Sequence, residues 1–243
     1  MRTLIISDIH ANITALNAVL DAAGPFDRVW CLGDVVGYGP DPNECIERLK
    51  DLPGLRCVKG NHDAAIIGEI EMAAFNPEAQ TSLTWLSRVL RPKNLEWLTS
   101  LEDRIVDGKI TMVHGSPRNP VWEYIMDIPT ARANMDAFDT EVCLIGHTHI
   151  PSVFQFEDDE DHSISLEHLF PDDVFYTNRK MIINPGSVGQ PRDHDPRAAF
   201  IIYDDEKELW TFHRIDYDIE SVQRRIRSSG LPHRHASRLA LGW

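Results

Sequence analysis

Five short apolar runs in this chain each end in residues able to hold a metal ion. No other feature of the sequence restricts its fold as strongly. Leu4-Ile5-Ile6 leads to Asp8 and His10, and Arg28 to Leu32 leads to Gly33-Asp34. Leu55 to Lys59 runs into Gly60-Asn61-His62-Asp63, and the second arm of Arg104 to Val113 runs into His114. Val142 to Ile145 ends in Gly146-His147-Thr148-His149. Short apolar runs bounded by polar residues read as strands buried on both faces. In open α/β sheets, ligands gather where strands end. A Gly-Asp pair after a strand is ordinarily a turn. Five such endings in one chain, all offering oxygen or nitrogen donors, point to one shared site.

Between these runs the pattern turns helical. Ile13, Leu16 and Leu20 form an apolar stripe from Ala11 to Ala23, with Asn12 or Thr14 as N-cap and Gly24-Pro25 as the stop. Asp41-Pro42 and Glu44 predict the start of a helix through Lys50. From Ala64 to Ser100 the chain reads as mostly helical, with Pro77 and Pro92 in first turns. Asp107-Gly108 predicts a hairpin within Arg104 to Val113, and Pro129 to Phe138 a helix. Later come strands at Ser152 to Phe156 and Met181 to Ile183, and a hairpin from Ala199 to His213. A helix from Ile219 to Arg227 precedes a basic tail, and the acidic stretch Glu157 to Asp161 reads as a solvated loop. The sum is an α/β (α+β) mixed-sheet system with helices outside, in a single domain spanning 1–243.

Composition narrows the partners. The formal net charge of −14, from 24 basic and 38 acidic residues, disfavours nucleic-acid polymers and anionic membranes. It does not disfavour an anionic substrate at a metal, because a bound cation dominates its local field. No run approaches the 18 or so apolar residues of a membrane span, and no secretory signal is present. Cys31, Cys57 and Cys143 sit in apolar runs and read, unpaired, as small core residues, which fits a cytoplasmic protein.

The donor set is specific. Imidazole suits Zn, Fe, Ni and Mn, while carboxylate and amide oxygens favour harder ions such as Mn and Fe(II). No cysteine joins the set, which argues against a structural zinc–thiolate site. Seven donors exceed what one tetrahedral ion takes. They suit two ions of higher coordination number that share a carboxylate.

The ordered motifs D-x-H, G-D, G-N-H-D, H-G-S-P and G-H-T-H resemble the calcineurin-like metallophosphoesterase superfamily. The resemblance runs from Asp8 to His149 and extends through Asn184-Pro-Gly-Ser-Val-Gly-Gln-Pro-Arg192. It implies a two-sheet β-sandwich flanked by helices, with metals at one end. It implies that Asp8, His10, Asp34 and His149 hold one ion, and that Asp34, Asn61, His114 and His147 hold a second. By the same resemblance, His62 is the catalytic histidine that protonates the leaving oxygen, and Asp63 orients it. The cofactors would be two divalent ions, Mn, Fe, Zn or Ni, with Mn expected in vitro. Two such ions roughly 3.5–4 Å apart can clamp a phosphoryl group and activate water.

The sequence departs from the protein Ser/Thr phosphatases of that superfamily. They carry G-D-x-V-D-R-G, where this chain has Gly33-Asp-Val-Val-Gly-Tyr-Gly39, so a phosphate-clamping arginine is missing after Asp34. The chain looks more like compact phosphodiesterases, including those resembling diadenosine tetraphosphate hydrolases. The expected substrate is a small phosphodiester or phosphoanhydride of nucleotide type. The alternatives are a phosphoprotein or phosphomonoester phosphatase, and a non-catalytic interaction scaffold. Arg192, after a Gly-Ser-Val-Gly turn, is a candidate for a substrate phosphate, and Tyr38 for a base. His162, His168, His194, His213, His233 and His235 read as surface residues.

Overall fold

The computed structural model describes residues 1–157 and 163–243. The first strand, β1 (Arg2–Ile6), leads through α1 (Ile13–Ala22) to β2 (Arg28–Cys31), and α2 (Pro42–Lys50) leads on to β3 (Arg56–Cys57). These three strands run parallel. The helices α3 (Asn61–Ile66), α4 (Pro77–Val89) and α5 (Pro92–Thr99) follow, then the hairpin β4 (Arg104–Asp107) and β5 (Ile110–Val113). Next come α6 (Ile128–Met135), β6 (Val142–Leu144), β7 (Ser152–Phe156) and β8 (Ile164–His168). The later strands are β9 (Val174–Tyr176), β10 (Met181–Asn184), β11 (Ala198–Asp204) and β12 (Leu209–Ile215), followed by α7 (Ile219–Ser228) and α8 (His233–Leu241). Two six-stranded sheets result, in the orders β3-β2-β1-β11-β12-β9 and β4-β5-β6-β10-β7-β8.

The four layers follow from strand parity. Successive side chains point to opposite faces, so a strand covered on both sides is apolar throughout. In β1, Leu4 and Ile6 pack with Leu16 and Val19 of α1, while Ile5 packs between the sheets with Trp30, Leu144 and Ile183. In the second sheet, Met112 and Leu144 face the first, while Val113 and Cys143 pack with Met135 of α6 and with Phe138 just after it. All four cysteines are free and buried, as expected of small core residues. Among the described residues, no helix is long and apolar enough to cross a membrane.

Several expectations shift. The hairpin loop is Gly108-Lys109, because Asp107 still pairs with Ile110. Helix α3 starts at Asn61, which puts His62 and Asp63 in its first turn. Asp41 makes no side-chain cap; it binds the Arg225 guanidinium at 2.8 and 3.1 Å and so ties α2 to α7. Strands β8 and β9 leave little sequence signal because both are edge strands with much of their surface exposed. Apart from Glu157, which pairs with Arg179, the acidic loop lies outside the described residues, as does His162.

The basic tail is helix α8, and its His235 is buried rather than on the surface. The Ser82 hydroxyl lies 3.2 Å from the Glu78 carbonyl, to which it can donate, so His235 Nε2–H donates to Ser82 Oγ at 2.8 Å. Burial pushes the His235 pKa down from 6.5 to about 4. The unfolded chain therefore takes up a proton, as pH falls below 6.5, that the folded chain refuses until about 4. Stability conferred by neutral His235 is full above 6.5 and lost through that window, on the order of 3 kcal/mol in all. Urea midpoints measured across it should fall less steeply for His235→Gln than for the wild type; equal slopes would mean that His235 does not titrate this way.

Candidate metal centre

The candidate ligands come from the same end of both sheets. Asp8 and His10 follow β1, Asp34 follows β2, and Asn61 opens α3 just after β3. His114 follows β5, and His147 and His149 follow β6. Main-chain bonds lock these loops together. Asp8 N–H donates to Gly33 O at 3.0 Å and His10 N–H to Asp34 O at 2.9 Å. His147 N–H donates to Asp8 Oδ2 at 3.1 Å and so ties the second sheet to the first. The Asn184-to-Arg192 stretch closes over this end, with Val188 and Gly189 N–H groups on the carbonyls of Ser7 and Asp8 at 3.0 and 2.9 Å.

Asp8, His10, Asp34, His147 and His149 all have φ between 47° and 66°. For residues other than glycine that backbone region costs roughly 1–2 kcal/mol each, and such strain clusters at functional sites. Glycines make room for the resulting approaches. A Cβ on Gly60 would lie 2.1 Å from Asp34 Oδ1, and one on Gly37 2.6 Å from His62 Nδ1.

The structure brings all seven candidates together. Donor atoms of Asp8, His10, Asp34 and His149 lie within 4.8 Å of one another, and so do those of Asp34, His114 and His147. Asp34 belongs to both groups. Asn61 Oδ1 lies 3.1 Å from His114 Nε2, which adds it to the second.

Each imidazole is oriented by a backbone carbonyl. The Nδ1–H groups of His10, His114 and His149 donate to Val36 O (3.0 Å), Leu32 O (2.7 Å) and Gln190 O (2.6 Å). His147 donates from Nε2 to Trp122 O at 3.2 Å. A carbonyl can only accept, so the opposite ring nitrogen of each neutral imidazole presents a lone pair inward. His10 Nε2 and His149 Nε2 then face each other at 3.1 Å. Asp8 Oδ1 is buried beside them at 3.2 Å from His149 Nε2 with no hydrogen-bond partner. Acceptors packed against acceptors fit a cation, and this donor set fits two.

Charge agrees. Burial alone would raise both carboxyls, but the charged His114 near both, and the donors they accept from, the Ser7 hydroxyl on Asp8 and the His62 N–H on Asp34, hold them below the usual carboxylate range. Burial pushes His10, His147 and His149 down, so they are neutral. Burial would also lower His114, but Asp34 and Asp8 carry it up to about 9, so in the free protein its inward Nε2 holds a proton that a bound cation displaces.

His62 sits beside this cluster. Its backbone N–H donates to Asp34 Oδ1 at 2.8 Å, and its ring packs between Tyr38 (4.5 Å) and Phe75 (5.0 Å). Burial lowers its pKa to about 4, so the side chain is neutral near pH 7 in the free protein. Asp63 does not hold the His62 ring as expected. Its carboxylate accepts from the N–H groups of Gly60 (3.0 Å), Val36 (3.1 Å) and Val35 (3.3 Å), pinning the α3 start against the loop after Asp34. Tyr38 is buried against His10 and His62, and Arg192 Nη2 lies 3.5 Å from its hydroxyl.

A pocket of about 160 Å³ opens over Asp34, Asn61, His62, His147 and His149. Its rim includes Phe75, Trp122, Tyr124 and Arg192, and Tyr124 stacks on His147 at 3.7 Å. Sequence reasoning missed these three aromatics. The available signal was their place: Trp122 and Tyr124 lie in a proline-rich loop just after His114.

Two groups of donors that could each hold a metal ion share one carboxylate under a small pocket, the arrangement a metallohydrolase centre needs. Residues 1–208 match the calcineurin-like phosphoesterase superfamily domain, and the chain belongs to that superfamily of binuclear-metal-dependent phosphoester hydrolases. A metallophosphoesterase from Sphaerobacter thermophilus superposes with a TM-score of 0.91 at 46% identity, covering 100% of this chain and 99% of that one. An uncharacterized protein of Methanocaldococcus jannaschii is 36% identical over 98% of this chain and 97% of its own length. A symmetrical bis(5'-nucleosyl)-tetraphosphatase of Photorhabdus laumondii is 29% identical over 54% of this chain. The match spans only 48% of that relative's length.

The shared position of Asp34 makes a quantitative expectation. Metal analysis after loading with Mn(II) should find two ions in the wild type, about one in Asp8→Asn and fewer than one in Asp34→Asn. Two ions retained in Asp34→Asn would exclude it as the shared ligand.

Proposed function

We propose that this chain is a binuclear metal-dependent phosphodiesterase acting on small nucleotide-type phosphodiesters or phosphoanhydrides, and that residues 1–243 form one domain. The observation that carries this reading is the Asp34 carboxylate, common to two donor groups beneath a pocket with one arginine and an aromatic rim. In it, Asp8, His10, Asp34 and His149 hold one ion, and Asp34, Asn61, His114 and His147 the other. Manganese suits this mixture of imidazole and oxygen donors. Bound there, two divalent ions would neutralise phosphoryl oxygens and supply an acidified water.

The side chains do the rest. Arg192 and Tyr38 line the pocket at the same wall, where a guanidinium can pair with a phosphoryl oxygen and fix its orientation. The neutral His62 of the free protein gains proton affinity once an anionic phosphoryl group lies beside it. That coupling makes it a proton donor to the leaving oxygen only when substrate is present. Asp63 acts through the backbone by holding the first turn of α3 against Asp34.

The relationship to a symmetrical tetraphosphatase supports a nucleotide-type substrate. Buried thiols and the absence of charge suited to anionic membranes support a cytoplasmic enzyme acting on a soluble phosphoester. The test is hydrolysis of bis(p-nitrophenyl) phosphate with added Mn(II). Wild type should turn it over, and His62→Ala should lose a factor on the order of 10²–10⁴ in kcat with its metal content intact. Equal rates would remove His62 from the chemistry, and no metal-dependent turnover would sink the reading.

A further inference from the structure

The pocket over Asp34 and His62, at about 160 Å³, is smaller than the roughly 300 Å³ at which small-molecule sites begin. It has room for a phosphoryl group and part of one substituent, not for a whole nucleotide diester. A second cavity of about 510 Å³ lies on the other side of Arg192, which lines both. The two spaces share scaffolding. Arg192 N–H donates to His149 O at 3.4 Å, and the chain continues from His149 into Ile150 and Pro151, which wall the second cavity. A substrate bound at the candidate ligands therefore has this space next to it.

Its chemistry is selective. Ile150, Pro151, Leu169 and Phe170 give it apolar walls, and Phe170 is 69% exposed, leaving its ring open for stacking. The two carboxylates at its edge are already matched: Asp193 pairs with Arg214, and Asp195 with Arg197. Of its two arginines, Arg214 is held by Asp193 and Arg192 stands at the junction with the pocket over Asp34, while the imidazoles of His168 and His194 complete the polar lining. Among the described residues, Asp193 Oδ1 and Arg192 Nε are buried without hydrogen-bond partners. The first can accept from a hydroxyl or amine, and the second lies at the junction with the metal pocket. An uncharged, flat, hydrogen-bonding group attached to a phosphate fits these walls.

We infer that this second cavity is a nucleoside subsite: a base stacks on Phe170, a sugar or base donor reaches Asp193, and Arg192 takes the linking phosphate. This rests on the phosphodiesterase reading above and names one half of its substrate. Two esters test it: thymidine 5'-(p-nitrophenyl phosphate), which carries a nucleoside, and methyl p-nitrophenyl phosphate, which does not. Phe170→Ala should raise the ratio of their KM values by roughly five- to tenfold, the loss of one base–aromatic stack. An unchanged ratio overturns the inference.

Binding without turnover gives an independent readout. Thymidine added to the zinc-loaded protein should shift the methyl resonances of Ile150 and Leu169 saturably, with roughly fivefold weaker binding in Phe170→Ala. Shifts confined to residues around Tyr124, or no dependence on Phe170, overturn it as well. If neither ester is hydrolysed by the wild type, the phosphodiesterase reading fails, and the thymidine titration still decides the cavity.

Discussion

The site depends on four hydrogen bonds that point away from it. The carbonyls of Val36, Leu32, Gln190 and Trp122 each take the outer N–H of an imidazole and so decide which nitrogen faces inward. The consequence is inward-facing lone pairs on His10, His147 and His149, seen most plainly where His10 and His149 meet at 3.1 Å beside the unpartnered Asp8 Oδ1. Such a cluster is costly when dry and well matched to cations. Because each fixing carbonyl belongs to the backbone, orientation of the ligands is a property of the loops and not of a few replaceable side chains.

The loops in turn rest on the sheets. Short strands buried on both faces leave little freedom at their ends, so the chain leaves β1, β2 and β6 through left-handed residues that are not glycine. At five such ligand positions the strain totals about 5–10 kcal/mol, comparable with the whole stability of an ordinary domain. Cross-sheet bonds such as His147 N–H to Asp8 Oδ2 and the overlay of the Asn184-to-Arg192 stretch on the carbonyls of Ser7 and Asp8 hold that geometry.

Much of this was legible in the sequence because both parts leave a local trace. A strand covered on two sides is apolar at nearly every position, and side-chain ligands come from a few residue types such as Asp and His, so Leu4 to His10 announces a strand and its donors together. What was not legible depends on distant contacts. Asp63 looked like a partner for its neighbour His62, yet its nearest donors are the N–H groups of Gly60, Val35 and Val36. His235 lies in a stretch of arginine and histidine that reads as solvated, and only tertiary packing against Ser82 and Tyr38 buries it. The aromatic rim and the cavity beyond Arg192 are assembled from separate loops and have no motif.

The candidate metal centre, the phosphodiesterase reading and the adjoining subsite all rest on one feature: backbone carbonyls select the histidine nitrogens that face inward. Long-range ¹H–¹⁵N NMR of the zinc-loaded protein reads this directly. It should find His10, His114 and His149 protonated on Nδ1 and coordinating through Nε2, with His147 the reverse. The opposite pattern, or four imidazoles exchanging between tautomers with zinc present, would contradict it.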